Sequence, residues 1–149
     1  MNKKVRMIVP FAVSGLFLLL DQLLKCTART NQYSSWYITK PWLGWEYFEN
    51  PGIAFSLPLP NTIVLLATPI ILFLLIHILL YKKTLNRKGL LGISLIIAGA
   101  TSNFIDRMIF GITIDYLRVL TSILNLADIM IGVGATLVVL STKRPVQKL

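Results

Sequence analysis

The stretch "NTIVLLATPIILFLLIHILLY", residues 61–81, runs for 21 residues without Asp, Glu, Lys or Arg. A helix of about 20 residues is about 30 Å long, the thickness of a bilayer's hydrocarbon core. Inside that core every backbone N–H and C=O must be satisfied within the segment, so the stretch forms a helix and the chain belongs in a membrane. Further apolar runs join it, and four spans are expected, at about 7–26, 61–81, 89–108 and 121–141. Composition agrees: 55% of the 149 residues are hydrophobic and 14% are charged, against about 25% charged in a soluble domain. The expected fold is an all-α membrane protein. It has four transmembrane helices, a small β-rich extracytoplasmic segment between the first and second, and one domain over residues 1–149.

The formal charge is +9. A nucleic-acid partner is not expected, because the basic residues flank the apolar runs instead of forming a patch. They group at Lys3, Lys4 and Arg6, at Lys82, Lys83, Arg87 and Lys88, and at Lys143, Arg144 and Lys148. Positive clusters mark the cytoplasmic side. Both termini and the 82–88 loop are then inside, while about 27–60 and 109–120 are outside. The opening 26 residues resemble a signal peptide. Lys25, however, precedes Cys26 where a lipoprotein cleavage box needs a small residue, so an uncleaved first helix is expected. A single cysteine excludes an internal disulfide.

The outer segment 27–60 holds Trp36, Trp42 and Trp45 with Tyr33, Tyr37 and Tyr47. "SSWYIT" and "WLGWEYFEN" favour short strands, broken at Lys40-Pro41 and at Asn50-Pro51-Gly52. Aromatic residues of this kind settle at the headgroup level of a membrane. No internal repeat is present, which weakens a transporter reading.

The six acids are Asp21, Glu46, Glu49, Asp106, Asp115 and Asp128. None faces the cytoplasm. Asp21 falls near the outer end of the first span, and Asp106 ends the third on the same side. Asp115 falls in the short outer loop, and Asp128 about two turns into the fourth span, roughly 10 Å deep. Asp21 and Lys25 are four apart, the spacing of a helical ion pair. Asp106 and Arg107 can pair at the helix end, and Asn103 and Asn125 can hydrogen-bond between helices. Asp128 has no basic neighbour in its own helix. A carboxylate among lipid tails costs at least ~2.5–3.5 kcal/mol, which marks it as functional. Two carboxylates a few ångströms apart keep one proton between them. One can then deprotonate water while the other protonates a carbonyl.

Other chemistries fit worse. Cys26 and the only histidine, His77, fall at opposite sides of the membrane. Ser102 and Ser122 have no lysine base in their own segments, and no HExxH, Cys/His cluster or phosphate loop occurs, so no metal or cofactor is expected.

Five pieces occur in order: "DQLLK" (21–25), "ENPGIAFS" (49–56), "ATSNFIDR" (100–107), "TIDYL" (113–117) and "LNLADIMIGVG" (124–134). Together they resemble the lipoprotein signal peptidase family, signal peptidase II. The resemblance implies a metal-free aspartic endopeptidase of the bacterial inner membrane, with its site at the extracytoplasmic side. Such an enzyme removes signal peptides from prolipoproteins by cutting before the diacylglyceryl-modified cysteine. Its partners are those precursors and membrane lipid, and the chain is read as a monomer. By motif, Asp115 and Asp128 are the implied catalytic pair, and Asn50 and Gly52 shape the substrate groove. Asn103, Arg107 and Asn125 orient the acids and the peptide, while Asp21 and Lys25 support the site's edge. The stretch from Asp115 to Asp128 is shorter than the family's usual one, which leaves an inactive homologue as an alternative. A small four-helix proton-coupled transporter, with Asp128 as its relay, is another.

Overall fold

The computed structural model of the chain describes residues 3–52, 59–81 and 85–142, with side chains from residue 8 onward. Residues 53–56 of the second motif piece, the clusters at Lys82–Lys83 and at 143–148, and the side chains of Lys3, Lys4 and Arg6 lie outside the described residues. The elements run α1 (Lys3–Thr30), β1 (Trp36–Thr39), β2 (Leu43–Asn50), α2 (Asn61–Tyr81), α3 (Arg87–Phe110), β3 (Thr113–Val119), β4 (Ser122–Leu124) and α4 (Leu126–Thr142). Among the described residues three helices are long and apolar enough to cross a membrane: α1 over Ile8–Thr30, α2 and α3. The fourth, α4, is a shorter apolar helix of 17 residues.

The expected first, second and third spans each correspond to one helix, with α1 and α3 longer than expected. Among the described residues the fourth apolar run is not one long helix but is divided. Its first residues, Ser122–Leu124, form β4, and the helix starts only at Leu126. The β structure is also larger than expected. One antiparallel sheet of order β1-β2-β3-β4 draws two strands from each of the two interhelical segments. Its centre is the β2–β3 pairing, from Leu43 opposite Val119 to Asn50 opposite Thr113.

The interior stripe of α1 carries Ser14, Asp21, Lys25 and Ala28, all buried at helical spacing. Its opposite face leaves Ile8, Leu16, Leu19 and Leu23 more than 60% exposed, which suits contact with lipid tails. Against this stripe stands α3, the most buried helix, and α3 in turn packs on α4. That packing is close because the contacts are glycines. A Cβ on Gly92 would stand 2.6 Å from the carbonyl oxygen of Gly134, and one on Gly99 would stand 2.6 Å from that of Ala127. Small residues let helix backbones approach in this way where no hydrophobic effect drives association.

The sheet lies against the C-terminal part of α1. Ile114 and Tyr116 pack on Ala28, and the rings of Trp45 and Tyr116 lie 4.9 Å apart. It leaves Trp36 and Trp42 exposed, consistent with the expected aromatic belt. At the far end of α3, Asn86 caps the helix by accepting from the Gly89 N–H and reaches the Ser141 carbonyl of α4. His77 stacks between Phe73 and Tyr81 on α2 and reaches no acid, as a packing residue does.

Candidate active site

Asn125 holds the two acids together. It is the N-cap of α4, its Oδ1 accepting from the Asp128 N–H at 2.9 Å. Asp128 Oδ2 accepts in return from the Asn125 N–H at 3.4 Å, the reciprocal arrangement of a capping box. The same side chain donates through Nδ2 to Asp115 Oδ1 at 2.6 Å. Asp128 is therefore in the first turn of α4, not two turns into a span. The helix dipole there favours negative charge.

Asp115 is not a loop residue either. It sits within β3 and is fully buried. Its Oδ2 accepts from Asn50 Nδ2 at 2.8 Å, and Asn50 Oδ1 accepts from the Gly52 N–H at 2.9 Å. Burial, with the charge of Asp128 next, pushes the Asp115 carboxyl up to about 7. The Asn50 and Asn125 amides and Lys25 oppose that shift without cancelling it.

Behind the pair lies a buried polar network between α1 and α3. Lys25 Nζ is 3.0 Å from Asp21 Oδ2 and 2.8 Å from Asp106 Oδ2. Its third strong bond, to Asn103 Oδ1 at 2.8 Å, fixes which way that amide faces. Asn103 Nδ2 is thereby aimed at Asp128 Oδ1, 2.9 Å away. The expected Asp21–Lys25 pair is present and is extended by Asp106. Asp106 and Arg107, in contrast, do not pair at the helix end. Asp106 turns inward to Lys25 and to the Ile114 N–H, at 3.1 Å. Arg107 donates to the Gly52 carbonyl and to Asn61 Oδ1 at 3.2 Å, tying the end of β2 to the start of α2.

Three members of this network escaped the sequence reading. Ser102 donates to Asp21 Oδ2 at 2.6 Å, Tyr116 donates to Asp21 Oδ1 at 2.9 Å, and Gln22 donates to Ser102 and Asp106. Polar residues four apart in an apolar helix, as Ser102 and Asp106 are, share an interior face and were the available signal. Lys25 does stand 3.4 Å from Ser102 Oγ, contributed by another helix. Its shorter contacts are to Asp21, Asp106 and Asn103, and Ser102 is fully buried, so a serine nucleophile finds neither a free base nor substrate there.

A cleft of about 180 Å³ opens onto Asn50, Asn103, Arg107, Thr113 and Asp128, with Val64 and Thr68 of α2 on another wall. It reaches Asp128 directly, while Asp115 lies behind Asn50 and Asn125. The cleft therefore joins a carboxylate, a cation and amides to an apolar wall, a setting suited to an extended peptide. Among the described residues no group of three or more His, Cys, Asp or Glu could hold a metal ion.

The family model described as signal peptidase (SPase) II matches residues 13–144. A lipoprotein signal peptidase of Halothermothrix orenii is 35% identical over 138 residues, covering 87% of this chain and 92% of the relative. One from Chlorobium phaeobacteroides (strain BS1) is 31% identical over 147 residues, with 87% and 92% covered. A bacterial membrane enzyme solved by the in meso method at 1.9 Å shares the fold at TM-score 0.77 and 26% identity, over 89% of this chain and 90% of the other. A second, solved at 2.3 Å, has TM-score 0.81 at 24% identity over 95% and 94%. With residues of four of its five motif pieces lining one cleft and the family match running over most of its length, the chain belongs to the signal peptidase II family.

Proposed function

We propose that this chain is a lipoprotein signal peptidase that removes signal peptides from prolipoproteins, with Asp115 and Asp128 as its catalytic pair. The observation that carries the assignment is the single Asn125 side chain bonded to Asp115 and, through the capping turn, to Asp128. Asp128 borders the cleft, accepts two N–H donors and lies at a helix N-terminus, so it is the base. Asp115, pushed up to about 7, is the acid.

Water held by Asp128 attacks the scissile carbonyl carbon and gives Asp128 a proton. Asp115 meanwhile protonates the carbonyl oxygen, taking it in exchange for the Asn50 amide. Asp128 then passes its proton to the leaving nitrogen as the C–N bond breaks. Asp115 recovers one from the diol, and the pair returns to one shared proton. Asn103 and Asn125 keep both carboxyls in place, and Arg107 with Gly52 holds the groove's rim. Asp21 and Lys25 act at one remove, through Asn103.

We take α4 as a fourth crossing of the bacterial inner membrane, with both termini cytoplasmic and the sheet end extracytoplasmic. A helix of 17 residues is about 25 Å long, enough to cross with its polar first turn at the surface. The whole chain is read as one domain working as a monomer. A transporter finds no support: the acids gather at one end of the helices, and α4 begins beside them.

Cleavage is expected on the amino side of the diacylglyceryl-modified cysteine. Each buried methylene contributes about 0.8 kcal/mol, so two acyl chains hold the precursor at the depth of the site. Purified protein should therefore cut a lipidated precursor and leave an unlipidated one intact, with or without EDTA. Asp115→Asn and Asp128→Asn should each lower the rate at least about 100-fold, the scale of a lost acid or base, while the protein still folds. Equal cleavage of both precursors, or a fully active Asn variant, would refute the assignment.

A further inference from the structure

Among the described buried side-chain polar atoms, two lack a hydrogen-bond partner: Ser14 Oγ in α1 and Thr113 Oγ1 in β3. Only Thr113 borders the cleft. A buried hydroxyl without a partner costs free energy, and native proteins hold such groups for a reason. Thr113 is 3% exposed and opens β3, paired in register with Asn50 of β2. Residues two apart on a strand point to the same face, so the Thr113 hydroxyl and the Asp115 carboxyl project side by side, about 7 Å apart along the strand.

An extended peptide repeats its carbonyls on one side at that same interval of about 7 Å. A precursor lying along β3 with its scissile carbonyl at Asp115 therefore brings another carbonyl, two residues away, to Thr113. The backbone N–H and C=O of Ile114, between them, are taken by Asp106 and by Asn125 and offer the peptide nothing. A side-chain donor is what remains at this position. We propose that the Thr113 hydroxyl is a substrate-binding group, donating to a main-chain carbonyl of the precursor two residues from the scissile bond. It fixes the peptide's register in the cleft without reading side chains. The inference rests on the peptidase reading of the cleft.

The test pairs affinity with stability. Binding of a diacylglyceryl precursor peptide is measured in the uncleaving Asp128→Asn background, alone and combined with Thr113→Val or Thr113→Ser. Thr113→Val should weaken binding about tenfold, the scale of a carbonyl left unpaired, and Thr113→Ser should stay within about twofold. The thermal midpoint of Thr113→Val should equal or exceed that of its parent, since the hydroxyl it removes has no partner in the free protein. Unchanged affinity in Thr113→Val overturns the proposal. So does a weaker affinity that Thr113→Ser fails to restore, or one accompanied by a lower midpoint. If Asp128→Asn alone still cleaves, the catalytic role of Asp128 fails, and the same affinities, taken with a precursor peptide whose scissile amide is replaced by a non-hydrolysable isostere, decide the role of Thr113.

Discussion

Asp115 lies fully buried with its carboxyl between two amides, and its proton has measurable consequences. An unfolded aspartate loses its proton near 3.8, whereas Asp115 keeps it to about 7. Between those values the folded chain binds a proton that the unfolded chain has released. Stability is therefore full below about pH 4, falls as pH rises through this window, and levels off above about 7. Asp115→Asn removes that slope. In detergent the variant should match its parent near pH 4 and exceed it at pH 8 by at least about 1.4 kcal/mol, the equivalent of one pH unit. A parent whose stability does not change from pH 4 to 8 contradicts this. Cleavage should fall above about pH 7 for the same reason, because the acid then lacks its proton. The Lys25 network carries a prediction of another kind. Lys25→Met leaves Asp21 and Asp106 buried without their cation and should cost about 3–5 kcal/mol, read as a lowered unfolding midpoint. Loss of activity should follow from the freed Asn103 amide.

At the scale of elements, the contact of α3 with α4 decides where Asp128 stands. Gly99→Ala would drive a Cβ against the Ala127 carbonyl at 2.6 Å and against Ile131 at 2.9 Å. The carbonyl belongs to backbone and cannot swing aside, so the helices must part, at a cost of about 1–3 kcal/mol. Because Ala127 precedes Asp128, activity should fall further than stability does. Gly132, with nothing within 4 Å of an added Cβ, is the control. Gly132→Ala should be neutral or stabilise by up to about 1 kcal/mol through helix propensity. Thermal unfolding and cleavage rates of the two variants decide the matter, and equal effects would remove the argument from close approach.

For the whole molecule the testable quantity is orientation. The exposed Tyr33, just beyond α1 at the sheet end, offers a probe site. In a Cys26→Ser background, Tyr33→Cys should react with a membrane-impermeant maleimide added to intact cells stripped of their outer layers. Reaction only in inverted vesicles would put the sheet and both acids on the cytoplasmic side.

Hydropathy alone was enough to locate α1, α2 and α3, because satisfying backbone groups in lipid leaves a long apolar run no other choice. The strands of "SSWYIT" and "WLGWEYFEN" were legible from β-propensity and the Pro and Gly that bound them. Asp128 stood out because an unpaired carboxylate is costly in an apolar run, whereas Asp115 read as a loop residue and joined it only through the motif resemblance. What stayed hidden was the hairpin β3–β4. Its turn, Leu120-Thr121, has none of the Gly, Asn or Asp that usually mark one, although Leu120 adopts a φ of 54°. The strands beyond it are as apolar as a helix, so the fourth run read as one span. Asn125 and Asp128, three apart, were a legible capping signal within that run, and the apolar residues on either side masked it. The Asp21–Lys25 pair was local and could be read from spacing. Its joining to Asp106, Ser102 and Asn103 could not, since those bonds cross about 80 residues of chain. A side chain's own segment determines whether it is buried. Which partner it meets there depends on how separate helices pack, and only the tertiary structure decides that.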